Sequence, residues 1–206
     1  MAAIIFDFDG TIADSFDYVS DFLAGQAGLA PLNKEQKQRL RGLSVAGMVR
    51  KLGYHWWNAP ELFFKGRWRM RHAIKHLHPF EGMPEVIAKL HAEGHELFIL
   101  STNSISNIHQ FLHQHKLHTY FLEIYGGVGM FGKAPALRRL LREQNIDVAD
   151  AFYIGDELGD VQAAHSIGLH VIAVTWGFAR RRTLEAADTI GLADDPVDII
   201  RILEEL

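Results

Sequence analysis

The sequence predicts an α/β protein: a Rossmann-like, doubly wound, mostly parallel sheet with a small all-α insertion after the first strand. Short apolar runs of strand length occur at Ala3–Phe6, Glu96–Leu100, 151–154 and His170–Val174, the later ones each preceded by an amphipathic stretch of helical length. That alternation implies a parallel sheet with helices on both faces. Between residues 14 and 79 the rhythm changes, because no strand-like run interrupts helical patterns separated by Gly-Leu-Ala-Pro, Gly-Leu-Ser and Asn-Ala-Pro. The expected domains are a core of residues 1–14 and 80–206 and a helical cap of residues 15–79.

Each element has a local reason. Ala3–Phe6 ends in Asp-Phe-Asp-Gly-Thr, where Gly10 and Thr11 suit a tight turn and place Asp7 at a strand's carboxyl end. The strand 96–100 runs into Ser101-Thr102-Asn103, and the strand 151–154 into Gly155-Asp156-Glu157 with Asp160 close behind. Pro135, in Phe131-Gly132-Lys133-Ala134-Pro135, suits the first turn of a helix and sets Lys133 just before it.

Composition narrows the function. With 206 residues, 48% hydrophobic and 22% charged, the chain can bury a substantial core. A net charge of −4 gives no overall attraction to nucleic acid or an anionic membrane, and no apolar window is long enough to span a bilayer. There is no basic segment and cleavage site at the amino terminus, so a cytoplasmic protein is expected. The absence of cysteine excludes disulfides, thiolate zinc sites and a cysteine nucleophile.

Ligands of open α/β sheets bind beyond the carboxyl ends of the strands, so these polar strand endings are expected to meet there. Asp7, Asp9 and Asp156 brought together repel one another unless a cation is present, and a hard divalent ion such as Mg2+ resolves the conflict. A lysine and a hydroxyl then complete a phosphate pocket.

The four segments resemble, in order, the four motifs of the haloacid dehalogenase superfamily, and the helical insertion resembles the cap of its phosphoglycolate phosphatase and beta-phosphoglucomutase branch. The segment Ile172-Ala173-Val174-Thr175-Trp176-Gly177 points to the same branch. The resemblance implies a nucleophile at Asp7 that forms an aspartyl-phosphate, and an acid and base at Asp9. It implies phosphate contacts from Ser101 and Lys133, with Thr102 as the second hydroxyl. Magnesium would be held by Asp7, the Asp9 carbonyl and Asp156, with Asp160, Asn103 and Glu157 supporting. The expected reaction is hydrolysis of a small phosphorylated metabolite by a monomer or homodimer. A phosphomutase stays open, since it builds the same phosphoenzyme. A phosphoryl-receiver module is disfavoured, because it has no need of the insertion and no duty for Asp9.

Other features have plainer readings. Arg41, Arg67 and Arg71 are candidates for contacting the distal part of a substrate, while Lys65 to Arg71 otherwise read as a solvated helix face. Trp56, Trp57 and Trp68 read as cap packing, and His109 with His113 as an exposed helix face. Asp7 and Asp156 are expected to raise the pKa of Asp9, with Mg2+ and Lys133 opposing them.

Overall fold

Four consecutive apolar residues suit a strand covered on both faces, and Ala3–Phe6 forms such a strand, β1, with every residue buried. The computed structural model describes residues 1–43, 45–54, 59–129 and 132–206. With β1 go β2 (Glu96–Leu100), β3 (Phe121–Tyr125), β4 (Ala151–Gly155), β5 (His170–Val174) and β6 (Gly191–Ala193). All neighbours pair parallel, in the order β3-β2-β1-β4-β5-β6. The order reverses at β1, the position where doubly wound sheets open a crevice. Register brings the strand ends level, with Phe6 opposite both Ile99 and Ile154.

The helices are α1 (Phe16–Gln26), α2 (Lys34–Leu40), α3 (Val45–Lys51), α4 (Ala59–Ala73), α5 (Met83–Ala92), α6 (Ile105–Gln114), α7 (Lys133–Glu143), α8 (Leu158–His165), α9 (Arg181–Glu185) and α10 (Pro196–Glu204). Side-chain alternation along the strands makes two apolar layers. Ile4, Phe6, Leu97 and Ile99 pack with α5, α6 and α10, whereas Ala3, Ile5, Phe98 and Leu100 pack with α7 and α8. Each fully buried Ile or Phe of these layers stabilises the sheet by about 1.5–3 kcal/mol relative to its exposed state. No helix among the described residues is long and apolar enough to cross a membrane.

The chain leaves the sheet for α1–α4 and returns beside its own exit. Asp14 N–H donates to His78 O at 3.0 Å, and Phe80 N–H donates to Ile12 O at 3.0 Å. The insertion is not independent of the sheet layer, because Met70, Ala73, Ile74 and Leu77 join the core cluster on one sheet face. Its own apolar centre is made by Phe16, Leu23, Leu40, Met48 and Val49, together with Phe178 from the loop after β5.

Candidate active site

Where β1 ends, the backbone turns within a few residues. Ile12 and Ala13 N–H both return to Phe8 O, and Gly10 adopts φ +84°, a left-handed conformation that favours glycine. A Cβ on Gly10 would also strike the Asp156 carboxylate. The turn lays Asp7, Asp9 and Thr11 against the ends of β2 and β4.

Asp7 is buried, with Oδ1 accepting from Phe8 N–H at 2.7 Å and Oδ2 paired with Lys133 Nζ at 2.6 Å. Burial pushes its pKa up to about 7, against the opposing pull of Lys133. Lys133, the first residue of α7, also pairs with Asp160 Oδ1. Burial lowers the lysine's pKa, but Asp160 and Asp7 outweigh it and hold the value well above the usual one. Asp160 is fixed in turn by Tyr153 Oη at 3.3 Å and by Glu157 N–H at 3.0 Å, which donates to Oδ2.

Asp156 is fully buried at the end of β4. Its Oδ1 accepts from Thr11 Oγ1 at 3.0 Å and its Oδ2 from Phe178 N–H at 2.7 Å. Burial, then the charge of Asp160, raises its pKa well above the ordinary value. Carboxylate oxygens of Asp7, Asp156 and Asp160 lie within 4.8 Å of one another. Three buried acids with a single ammonium between two of them form an all-oxygen donor set that suits a hard divalent cation.

Asp9 accepts at Oδ2 from Asn103 Nδ2 at 2.9 Å, and the Ser15 hydroxyl lies near its buried carboxylate. Its pKa is raised by burial, with Ser15 and Asn103 opposing. The expected cause, charge on Asp7 and Asp156, is therefore replaced by desolvation. Asn103 is itself oriented, since its Oδ1 accepts from Ser104 N–H and Asn107 Nδ2, each at 2.8 Å. Ser101 is fully buried and its Oγ accepts from Asn103 N–H at 3.1 Å, whereas Thr102 is half-buried.

Several expectations about individual residues change. Lys133 stands in the helix rather than before it, because α7 begins two residues ahead of Pro135. Trp68 is 65% exposed rather than packed, with its ring centroid 5.6 Å from that of His72. Trp56, Trp57 and the Arg67 side chain lie outside the described residues, Arg71 is exposed, and His109 and His113 are exposed along α6. Arg41 faces the core, donating from Nη1 to Gly177 O at 2.9 Å. Thr11, Ser15, Tyr153 and Phe178 were not singled out from sequence. Thr11 had a signal in Asp-Phe-Asp-Gly-Thr, whereas Phe178 acts through its N–H, which no side-chain pattern reveals.

A buried carboxylate facing an ammonium and further acids, at the switch point of a doubly wound sheet, marks an enzyme of the phosphatase class. Comparison with known proteins specifies which. A family model described as haloacid dehalogenase-like hydrolase matches residues 4–174. A phosphoglycolate phosphatase of Synechococcus elongatus is 34% identical over 100% of this chain and 99% of its own length. One from Aliivibrio fischeri is 28% identical over 85% and 84% of the two chains. A crystal structure of a predicted phosphatase from Clostridium acetobutylicum superposes with a TM-score of 0.83 at 21% identity, covering 100% and 99% of the chains, and shares the fold. The chain belongs to the haloacid dehalogenase-like hydrolase family.

Proposed function

We propose that this enzyme is a magnesium-dependent phosphatase that hydrolyses a small phosphorylated metabolite of the phosphoglycolate type through an aspartyl-phosphate on Asp7. The observation that carries the proposal is the placement of Asp7 at the end of β1, with Lys133 on one oxygen and Asp156 and Asp160 within 4.8 Å. The names of relatives that align over nearly the full chain support the substrate class.

In this reading Asp7, Asp156 and the carbonyl of Asp9 hold magnesium, which supplies positive charge against the phosphoryl oxygens. An Asp7 oxygen attacks phosphorus, the phosphorus–oxygen ester bond breaks, and the leaving oxygen takes a proton from Asp9. Asn103 holds the Asp9 carboxyl in place through Oδ2. Its raised pKa suits the acid role. Ionised Asp9 then removes a proton from water, which attacks the phosphorus, releases inorganic phosphate and regenerates the Asp7 carboxylate. Lys133 and the Ser101 hydroxyl hold phosphoryl oxygens, with Thr102 as a second hydroxyl, and Asp160 steers Lys133. Glu157 supports the arrangement from the start of α8 through its backbone bond to Asp160.

The test is rapid quenching with 2-phosphoglycolate and, in parallel, with a hexose 1-phosphate, each with Mg2+, followed by intact mass measurement and assay of free phosphate and, for the hexose phosphate, of isomerised product. The parent should gain one phosphoryl group transiently, and folded Asp7→Asn should gain none and release no phosphate. Parental turnover in Asp7→Asn refutes the covalent route, and isomerised product in place of phosphate would establish a mutase.

A further inference from the structure

The loop after β5 is gripped from two sides. On the core side, Phe178 N–H donates to Asp156 Oδ2 at 2.7 Å, and Gly177 lies so close to the same carboxylate that a Cβ there would overlap it. On the side of the insertion, the Phe178 ring is buried in the cluster of Phe16, Leu23, Leu40, Met48 and Val49, edge-on to Phe16 at 5.2 Å. One residue thus belongs to the apolar centre of the helical insertion and also supplies a hydrogen bond to an acid of the site.

The backbone completes the grip. Gly42 N–H donates to Phe178 O at 2.7 Å, Arg41 Nη1 to Gly177 O at 2.9 Å, and Arg180 Nε back to Arg41 O at 2.7 Å. The Arg41 guanidinium lies 4.3 Å from the Phe16 ring centroid, a cation–π contact. Gly42 has φ +88°, and a Cβ there would overlap the Arg180 side chain, so the approach of the two loops requires glycine.

We propose that Arg41 is a positioning residue for the metal centre: by fastening the loop after α2 to Gly177 and Phe178, it holds Asp156 in the orientation that binds Mg2+. This rests on the magnesium reading above. Phe178 lies outside any strand or helix, and its N–H is held toward Asp156 by contacts from the insertion. When those contacts separate, the N–H loses its aim and a fully buried carboxylate loses a donor. Magnesium therefore binds more tightly with the insertion docked. Reciprocity requires that Mg2+ in turn disfavour the separated state.

The experiment titrates Mg2+ alone into the substrate-free, full-length protein by calorimetry, and follows hydrogen exchange at the Gly42 and Phe178 amides with and without Mg2+. Arg41→Ala should weaken Mg2+ binding by about 5-fold or more. Arg41→Lys should recover most of that loss, since an ammonium also donates to a carbonyl. Arg180→Ala, on an exposed side chain, should weaken binding in the same direction and decides the matter if Arg41→Ala does not fold. In the parent, Mg2+ should slow exchange at Gly42. Unchanged Mg2+ affinity in folded Arg41→Ala, or in Arg180→Ala where that variant decides, with faster exchange at Gly42, overturns the positioning role and leaves the magnesium reading standing. A parent that binds no Mg2+ overturns both.

Discussion

Replacing Lys133 by methionine keeps most of the buried stem and removes the ammonium that lies between Asp7 and Asp160. The side chain is 12% exposed and its partners are buried, so solvent does little to compensate, and breaking such a pair costs about 3–5 kcal/mol. The penalty should also depend on pH. In the metal-free parent Asp7 titrates near 7 when folded and near 3.8 when unfolded, so the folded state binds the extra proton between those values. Stability from this group is complete below about pH 3.8, declines as pH rises, and levels off above about pH 7. In Lys133→Met both the charge and the hydrogen bond that lower the Asp7 pKa disappear, so the decline continues beyond 7. The difference between the two proteins should then widen by about 1.4 kcal/mol per pH unit above neutrality until the variant's own Asp7 ionises. Urea unfolding with a chelator present, at intervals from about pH 6 to about pH 9, measures this directly. Parallel stability curves across that range would refute the assignment of Lys133 as the group that keeps Asp7 ionisable.

Three further outcomes are expected. Asp9→Asn keeps the nucleophile, so a substrate with a good leaving group should still phosphorylate Asp7, while hydrolysis of the phosphoenzyme slows by about 100-fold or more for want of a base; quenched mass measurement should show the species accumulating, and parental turnover without it would make Asp9 a turn residue. Gly177→Ala places a Cβ 2.5 Å from Asp156 Cγ, so it should destabilise the protein by about 1–3 kcal/mol and raise the Mg2+ concentration needed for half-maximal activity, both readable from melting curves and a metal titration. Exchanging Mg2+ for Ca2+ should leave little phosphatase activity, because the larger ion's looser shell misplaces nucleophile and phosphorus; full activity after exhaustive chelation would remove metal from the reaction.

The strands whose residues are apolar and bounded by turns, β1, β2, β4 and β5, were legible from sequence. β3 and β6 were not. Phe-Leu-Glu-Ile-Tyr of β3 carries an exposed Glu and an exposed Leu122 toward a sheet edge, and Gly-Leu-Ala of β6 is too short to show a period. The acids and Lys133 were legible because their chemistry is in their side chains. The support of Asp156 was not, since Thr11 and Phe178 reach it through a turn hydroxyl and a loop N–H whose meeting is a tertiary fact. Arg41 had the charge of a substrate contact but points at backbone carbonyls, a choice made by the docking of α2 that local sequence does not encode.

The central place of β1 in the sheet has a consequence for synthesis. β1 comprises residues 3–6, yet its neighbours on the two sides are β2, at 96–100, and β4, at 151–155. A chain emerging from the ribosome carries Ala-Ile-Ile-Phe in the open until the second of those neighbours, which ends at residue 155, has been made and has itself cleared the ribosome. Until then at least one edge of the strand is unpaired, and unpaired apolar strands are the surfaces on which nascent chains associate wrongly. The helical insertion, made next and rich in local contacts, can acquire structure during that wait, but the sheet cannot close. Arrested nascent chains ending before residue 150 should therefore hold this strand within reach of chaperones, and chains in which β4 and β5 have cleared the ribosome should bury it.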